Sequence, residues 1–201
     1  MTQRERVVLA SRSQARQALL TQAGLVFEAL PAAVDESAVK ASMRAEGASP
    51  GQAASALALL KAQRISAKAP DALVIGADQI LVCDERWYDK PADVAEAASQ
   101  LRALRGRSHL LATAVVVVRN GTRLWGHIES PRLTMRNFTE DALADHLAAM
   151  GEAITTTVGG YMLEGIGIRL FARIEGDYFS ILGLPLLPLL GFLRQHGAIG
   201  S

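Results

Sequence analysis

The feature that most constrains this chain is the run Ala72-Leu73-Val74-Ile75-Gly76-Ala77, which ends on Asp78. Unbroken apolar residues of this length, with β-branched members, predict a buried strand. Ile80-Leu81-Val82 continues that strand or pairs with it. A second unbroken run, Val7-Val8-Leu9-Ala10, predicts another buried strand, and 25–30 predicts a third.

Helical patterns separate these runs. A helix is expected over 14–22, a polar one from Asp35-Glu36 to about Ala45, and a broadly apolar one over 53–65 carrying Lys61. Ser49-Pro50-Gly51 reads as a chain break before it. An amphipathic helix over 93–104 places Val94, Ala97, Leu101 and Leu104 on one face. Strands over 110–118 and 123–135 flank Asn120-Gly121, a dipeptide suited to the two positive-φ positions of a type I′ hairpin. Thr139 is an N-cap for a helix reaching Met150, and 185–193 closes as a helix packed by Leu186, Leu189, Leu190 and Leu193. Strand–helix alternation followed by a long hairpin predicts an α/β fold whose sheet is mixed rather than purely parallel.

Half of the 201 residues are hydrophobic, enough for a sizeable core. Lys plus Arg is 21 against 20 Asp plus Glu, a formal net charge of +1. No global field favours nucleic acid or an anionic membrane, so neither is an expected partner, and a bound anion must be gripped locally. Cys83 is the only cysteine, which excludes an intrachain disulfide and a Cys-rich zinc site; it reads as a small buried residue beside a strand. The apolar stretch near the N-terminus is too short for a signal peptide, and the one over 181–193 is too short for a membrane span. A soluble cytoplasmic protein is the expectation.

Four segments could carry chemistry. Ser11-Arg12-Ser13-Gln14-Ala15-Arg16 joins a strand to a helix. Hydroxyls, backbone N–H groups, guanidinium groups and the positive end of a helix dipole make it an anion site, unless Ser13 only caps the helix. Asp78, directly after the apolar run, sits at the end of a buried strand, where a carboxylate needs a cation or hydrogen bonds. Asp35-Glu36, Lys61 and Tyr88-Asp89-Lys90-Pro91 read singly as surface charge. Together with Asp78 they would supply carboxylates for Mg²⁺ and ammonium groups for phosphates. Gly159-Gly160-Tyr161-Met162-Leu163-Glu164-Gly165, followed by Ile174-Glu175-Gly176-Asp177-Tyr178 and Gly183-Leu184-Pro185, either brings backbone close to a ligand or another chain, with Tyr161 stacking a base, or forms a tight corner with a packed Tyr. His109, His127, His146 and His196 lack partners at metal-ligand spacing, and no Gly-x-Ser-x-Gly elbow exists, so zinc chemistry and a serine nucleophile are disfavoured.

Taken in order, these segments resemble the Maf family of nucleotide pyrophosphatases. The resemblance runs through Leu9-Ala10-Ser11-Arg12-Ser13, Val34-Asp35-Glu36, Leu57 to Lys61, Gly76-Ala77-Asp78-Gln79, Asp89-Lys90-Pro91, Leu104 to His109, Gly159 to Gly165, and Ile174 through Pro185. It implies a long mixed sheet flanked by helices, two lobes with an active-site cleft between them, and in many members a homodimer. It also implies hydrolysis of nucleoside triphosphates to monophosphate and pyrophosphate with a divalent cation, Mg²⁺ or Mn²⁺. By that resemblance Asp78 activates water, Glu36 and Asp78 hold the metal, and Ser13, Arg16, Lys61 and Lys90 hold the phosphates. The chain departs from the family pattern at Gln14 and Ala15, where Pro and Arg are usual, and at Thr157, where Lys is usual.

Gln79 and Glu164 resemble the 7-methyl-GTP subgroup rather than the dTTP/UTP subgroup. A carboxylate acceptor at Glu164 suits the adjacent N1–H and N2–H₂ donors of guanine. Ala15 stands where that subgroup often has an aromatic, so Ala15, Gln79 and Glu164 are the expected specificity positions. Two alternatives are a broad housecleaning pyrophosphatase and a nucleotide-binding regulator of cell division with little catalysis. The carboxylate and lysine set favours an enzyme.

Overall fold

A computed structural model describes residues 5–200. Its strands are β1 (Val7–Leu9), β2 (Glu28–Ala29), β3 (Leu73–Cys83), β4 (Arg86–Tyr88), β5 (Ser108–Arg119), β6 (Thr122–Glu129), β7 (Arg132–Met135) and β8 (Phe171–Glu175). Its α-helices are α1 (Gln14–Gln22), α2 (Glu36–Ala45), α3 (Pro50–Ser66), α4 (Val94–Leu104), α5 (Glu140–Met150), α6 (Tyr178–Ile181) and α7 (Leu186–Gln195). The strands form one eight-stranded sheet in the order β2-β1-β3-β5-β7-β8, with β4 paired to β3 and β6 to β5. β1 is parallel to β2 and β3, whereas β5, β6, β7 and β8 pair antiparallel, so the sheet is mixed as expected.

The chain divides into two compact units. One contains the described residues up to Gln79, Thr113–Glu129 and everything from Asp177 onward; the other contains Ile80–Ala112 and Ser130–Gly176. In the first, Val7, Leu9, Leu73, Ile75, Ala77, Val115 and Val117 pack against α1 and α7 through Leu19, Leu20, Leu189 and Leu193. Because side chains alternate along a strand, the intervening Val74, Gly76 and Asp78 face the other way, toward α3. The buried face of α3 is mostly alanine: Ala53, Ala54, Ala58 and Ala62. Small residues let the helix come so close that a Cβ on Gly76 would lie 2.0 Å from the Ala58 carbonyl oxygen. In the second unit, Ala97, Leu101 and Leu104 of α4, Leu143 of α5 and Leu133 of β7 are buried.

Several boundaries differ from the sequence reading for identifiable reasons. Ser49-Pro50-Gly51 starts α3 rather than breaking the chain: Ser49 is the N-cap of a capping box with Gln52, and Pro50 occupies a first-turn position. β3 is a single strand of 11 residues, so Asp78 lies within it and not at its end. Only Glu28–Ala29 of the expected 25–30 strand pairs. The expected strand over 123–135 is split at Ser130-Pro131, where proline cannot donate to the ladder. Val94 lies in the first turn of α4 and stays 39% exposed, while Ala97, Leu101 and Leu104 are buried. Asn120 and Gly121 both have positive φ, 49° and 77°, as the hairpin requires. Thr139 caps α5 through the Ala142 N–H, and Cys83 is buried. No helix among the described residues is long and apolar enough to cross a membrane.

Candidate active site

The close approach of α3 to β3 places Lys61 directly over Asp78. Lys61 Nζ donates to Asp78 Oδ1 at 2.6 Å and lies 2.7 Å from Glu36 Oε1. The Lys61 and Asp78 side chains are 9% and 5% exposed, so this pair is buried, whereas the Glu36 side chain is 46% exposed and faces solvent. Glu36 comes from the first turn of α2, which Asp35 caps through the Ala38 N–H. Thus three of the sequence candidates, from α2, α3 and β3, meet at one ammonium group. Asp78 Oδ2 is buried and has no hydrogen-bond partner within the protein. A carboxylate oxygen left bare in a low-dielectric site is costly, and its natural partners are a cation or a water proton.

Arg16 stands behind this group. It is 9% exposed; its Nε donates to Gly183 O at 2.7 Å and its Nη1 to Ala77 O at 3.0 Å, with Ser11 Oγ at 3.4 Å. Burial lowers the Arg16 pKa, and the charges of Asp78 and Glu36 oppose that shift. The guanidinium therefore holds two backbone carbonyls and lends positive charge to the carboxylates. The family resemblance gives it to the phosphates; the structure shows these protein contacts, made through Nε and Nη1. Gly183, with φ +97°, lets the chain turn beneath it. Ser13 is the N-cap of α1 and accepts from Arg16 N at 3.4 Å, so the capping role is real. Arg12 and Gln14 are exposed and Ala15 is partly exposed.

Gln79 points to the opposite face of β3. Its Nε2 lies 2.8 Å from Thr113 Oγ1, 3.0 Å from Ser180 O and 3.1 Å from Ile181 O. Two of the three neighbours are carbonyl oxygens, which fixes the amide with its nitrogen inward. Thr113 Oγ1 also donates to Ser180 O at 3.0 Å, and the Ser180 N–H and hydroxyl both donate to Asp177 Oδ2. Thr113 and Ser180 escaped the sequence reading, which picked out Asp177 and Gly183 only as parts of glycine-punctuated segments. A hydroxyl inside the apolar run Leu110-Leu111-Ala112-Thr113-Ala114-Val115 was the available signal for the first of them.

Lys90 and Glu164 belong to the second unit, where both residues are exposed. Tyr161 is 4% exposed, its hydroxyl lies 2.7 Å from His109 Nε2, and its ring packs edge-on against Phe171. Of the two readings of this glycine-rich segment, the packed corner is correct and base stacking by Tyr161 is not. Burial pushes the Tyr161 pKa up and the His109 pKa down to about 4. His146 does have a partner: its Nε2 lies 3.0 Å from Gly160 O and steadies the same corner.

Among the described residues no group of three or more His, Cys, Asp or Glu side chains is placed to hold a metal ion. Asp78 and Glu36 remain as a two-carboxylate pair. A hard cation that draws its other ligands from water and substrate phosphates needs no more than one or two carboxylates, and the bare Asp78 Oδ2 is a suitable ligand.

Known proteins resemble this chain over nearly its whole length. A protein of Granulibacter bethesdensis named nucleoside triphosphate pyrophosphatase is 59% identical over 194 residues, covering 96% of this chain and 98% of the relative. One from Paramagnetospirillum magneticum with the same name is 56% identical, covering 96% and 99%. A Rhizobium etli protein named 7-methyl-GTP pyrophosphatase is 51% identical, covering 96% and 98%. The family model described as Maf-like protein matches residues 6–196. Matched by that model over nearly its whole length, this chain belongs to the Maf-like protein family.

Proposed function

We propose that this chain is a nucleoside triphosphate pyrophosphatase, with water attacking the α-phosphorus, the α–β anhydride bond breaking, and monophosphate and pyrophosphate as products. The observation that carries the reading is Asp78: one carboxylate oxygen is held by Lys61 at 2.6 Å and the other has no protein partner. An oriented carboxylate with one bare oxygen can take the proton of an attacking water. Lys61 fixes its rotamer and balances its charge, and Glu36 shares that ammonium from the solvent side. Relatives more than 50% identical that carry pyrophosphatase names support the same reading.

Asp78 and Glu36 would hold Mg²⁺ or Mn²⁺, which when bound neutralises phosphate charge. In the first unit the N-terminus of α1 beyond Ser13 offers positive charge to the phosphates; Lys90 is a phosphate ligand by family resemblance alone. Catalysis of this kind is positioning and charge stabilisation rather than covalent chemistry. For the base, a 7-methylguanine-type substrate read by the exposed Glu164 is the preferred candidate, supported by the Rhizobium etli relative's name. The test is pyrophosphate release from a panel of triphosphates, including 7-methyl-GTP, GTP, UTP and dTTP, with and without chelator. Release of free phosphate and a diphosphate would place the cut at the wrong bond, and full turnover in excess chelator would exclude the divalent cation.

A further inference from the structure

The amide nitrogen of Gln79 is committed inside the protein. Its nitrogen carries two hydrogens, and three acceptors surround it at 2.8–3.1 Å: Thr113 Oγ1, Ser180 O and Ile181 O. Thr113, wholly buried, accepts from Gln79 and donates onward to Ser180 O, and Ser180 is in turn held by two bonds to Asp177 Oδ2. The segment reached in this way, 180–183, is the one that Arg16 grips through Gly183 O while its other nitrogen holds Ala77 O. The residues on both sides of Asp78 are therefore tied to one short segment, Ala77 through Arg16 to the turn after α6 and Gln79 through its own amide to the end of α6. On the opposite face of β3, Asp78 meets Lys61. The strand is clamped from behind where the carboxylate must point forward.

We propose that Gln79, Thr113 and Ser180 form a positioning strut that fixes the Asp78 carboxylate, and that Gln79 does not select the base through its amide donors. The proposal rests on the pyrophosphatase reading for its kinetic consequence but not for its structural one. A side chain whose donors are satisfied by buried carbonyls cannot turn them to a base without leaving those carbonyls unpaired. Losing the strut lets the 77–79 backbone relax, and displacement of a reacting group by a fraction of an ångström to 1 Å costs up to about 10²-fold in rate.

The discriminating variants are Thr113→Val, which removes the hydroxyl and keeps the shape, Thr113→Ser, which keeps the hydroxyl, Gln79→Leu, and the Gln79→Leu/Thr113→Val double variant. kcat, KM and thermal unfolding are measured for each, with 7-methyl-GTP and UTP as substrates. The strut predicts that Thr113→Val lowers kcat about 10- to 100-fold with little change in KM, and equally on both substrates. It predicts that Thr113→Ser restores most of that loss, and that the double variant is no worse than Gln79→Leu alone. Unfolding midpoints should be non-additive in the same sense, a readout independent of whether the wild type cleaves any given triphosphate. A Gln79→Leu variant that shifts the ratio between the two substrates while Thr113→Val leaves kcat untouched would overturn the strut, as would additive unfolding midpoints. An inactive wild type with non-additive midpoints would instead refute the pyrophosphatase reading and keep the strut.

Discussion

Replacing Gly76 by alanine tests the contact on which the whole site depends. The added Cβ would lie 2.0 Å from the Ala58 carbonyl oxygen and 2.9 Å from the Ala62 Cβ. Both neighbours belong to the backbone or stem of α3, so no flexible side chain can yield. Real Cβ atoms essentially never come closer than 3.0 Å to a neighbour, so helix and strand must separate by about 1 Å. Overpacking of this kind costs about 1–3 kcal/mol, which in a chain of this length lowers Tm by about 2–12 °C. The kinetic effect follows from the same movement. Lys61 sits one turn after Ala58 on α3 and holds Asp78 at 2.6 Å, so the separation stretches that bond past hydrogen-bonding range. A displacement of about 1 Å at a reacting group corresponds to a loss of about 10² in kcat. Thermal unfolding and steady-state pyrophosphate release on the folded variant read the two effects separately. Wild-type Tm together with wild-type kcat would show that α3 does not press on Gly76, and the account of how Lys61 reaches Asp78 would fall with it.

Three further outcomes are expected. His109 is kept neutral by burial, with its pKa at about 4 against 6.5 for the ordinary imidazole. The unfolded state therefore binds the extra proton below about pH 6.5, and stability falls as pH drops from there to about 4, by up to about 3 kcal/mol; denaturant titrations should show this slope and His109→Gln should flatten it, whereas an equal slope in both proteins would contradict it. Arg16→Lys cannot reach Ala77 O and Gly183 O with one ammonium and leaves a buried carbonyl unpaired, so stability should drop by about 1–3 kcal/mol; unchanged unfolding would show that the fork is not needed. Glu164→Gln replaces an acceptor by a donor facing a guanine N–H edge and should lower kcat/KM on 7-methyl-GTP about 5- to 150-fold relative to UTP; an unchanged ratio would remove Glu164 as the reader of the base.

What could be read from the sequence was local. Asn120-Gly121, the Thr139 cap and the leucine face of the last helix each follow from residues within a few positions of one another. Asp78 was legible because a charge interrupts a run of apolar side chains, whereas Lys61 and Glu36 read singly as surface charge and gained weight as its partners from the family resemblance. Ser49-Pro50-Gly51 was misread because proline and glycine mark helix starts as readily as breaks, and the Gln52 side chain that completes the capping box decides between them. The pairings at the rear of the site were not legible. Gln79 meets Thr113 across 34 residues of chain and Ser180 across 101, and Arg16 meets Gly183 across 167. No periodicity or local motif encodes such pairings; they exist only once β3, β5 and the turn after α6 are assembled. The same distance effect hid from the sequence the two backbone carbonyls that Arg16 holds.

In the proposed reaction Asp78 serves hydrolysis of a nucleoside triphosphate between its α- and β-phosphates. Asp78→Asn keeps the size of the side chain but removes its charge and most of its basicity, and loss of a positioned base typically costs about 10²–10⁴ in rate. The most direct measurement is pyrophosphate release from 7-methyl-GTP with Mg²⁺ by the wild type and this variant, each first shown to be folded. The account predicts monophosphate and pyrophosphate as wild-type products and a fall of at least about 10²-fold in kcat for the variant. A folded variant that retains near-wild-type turnover would contradict it.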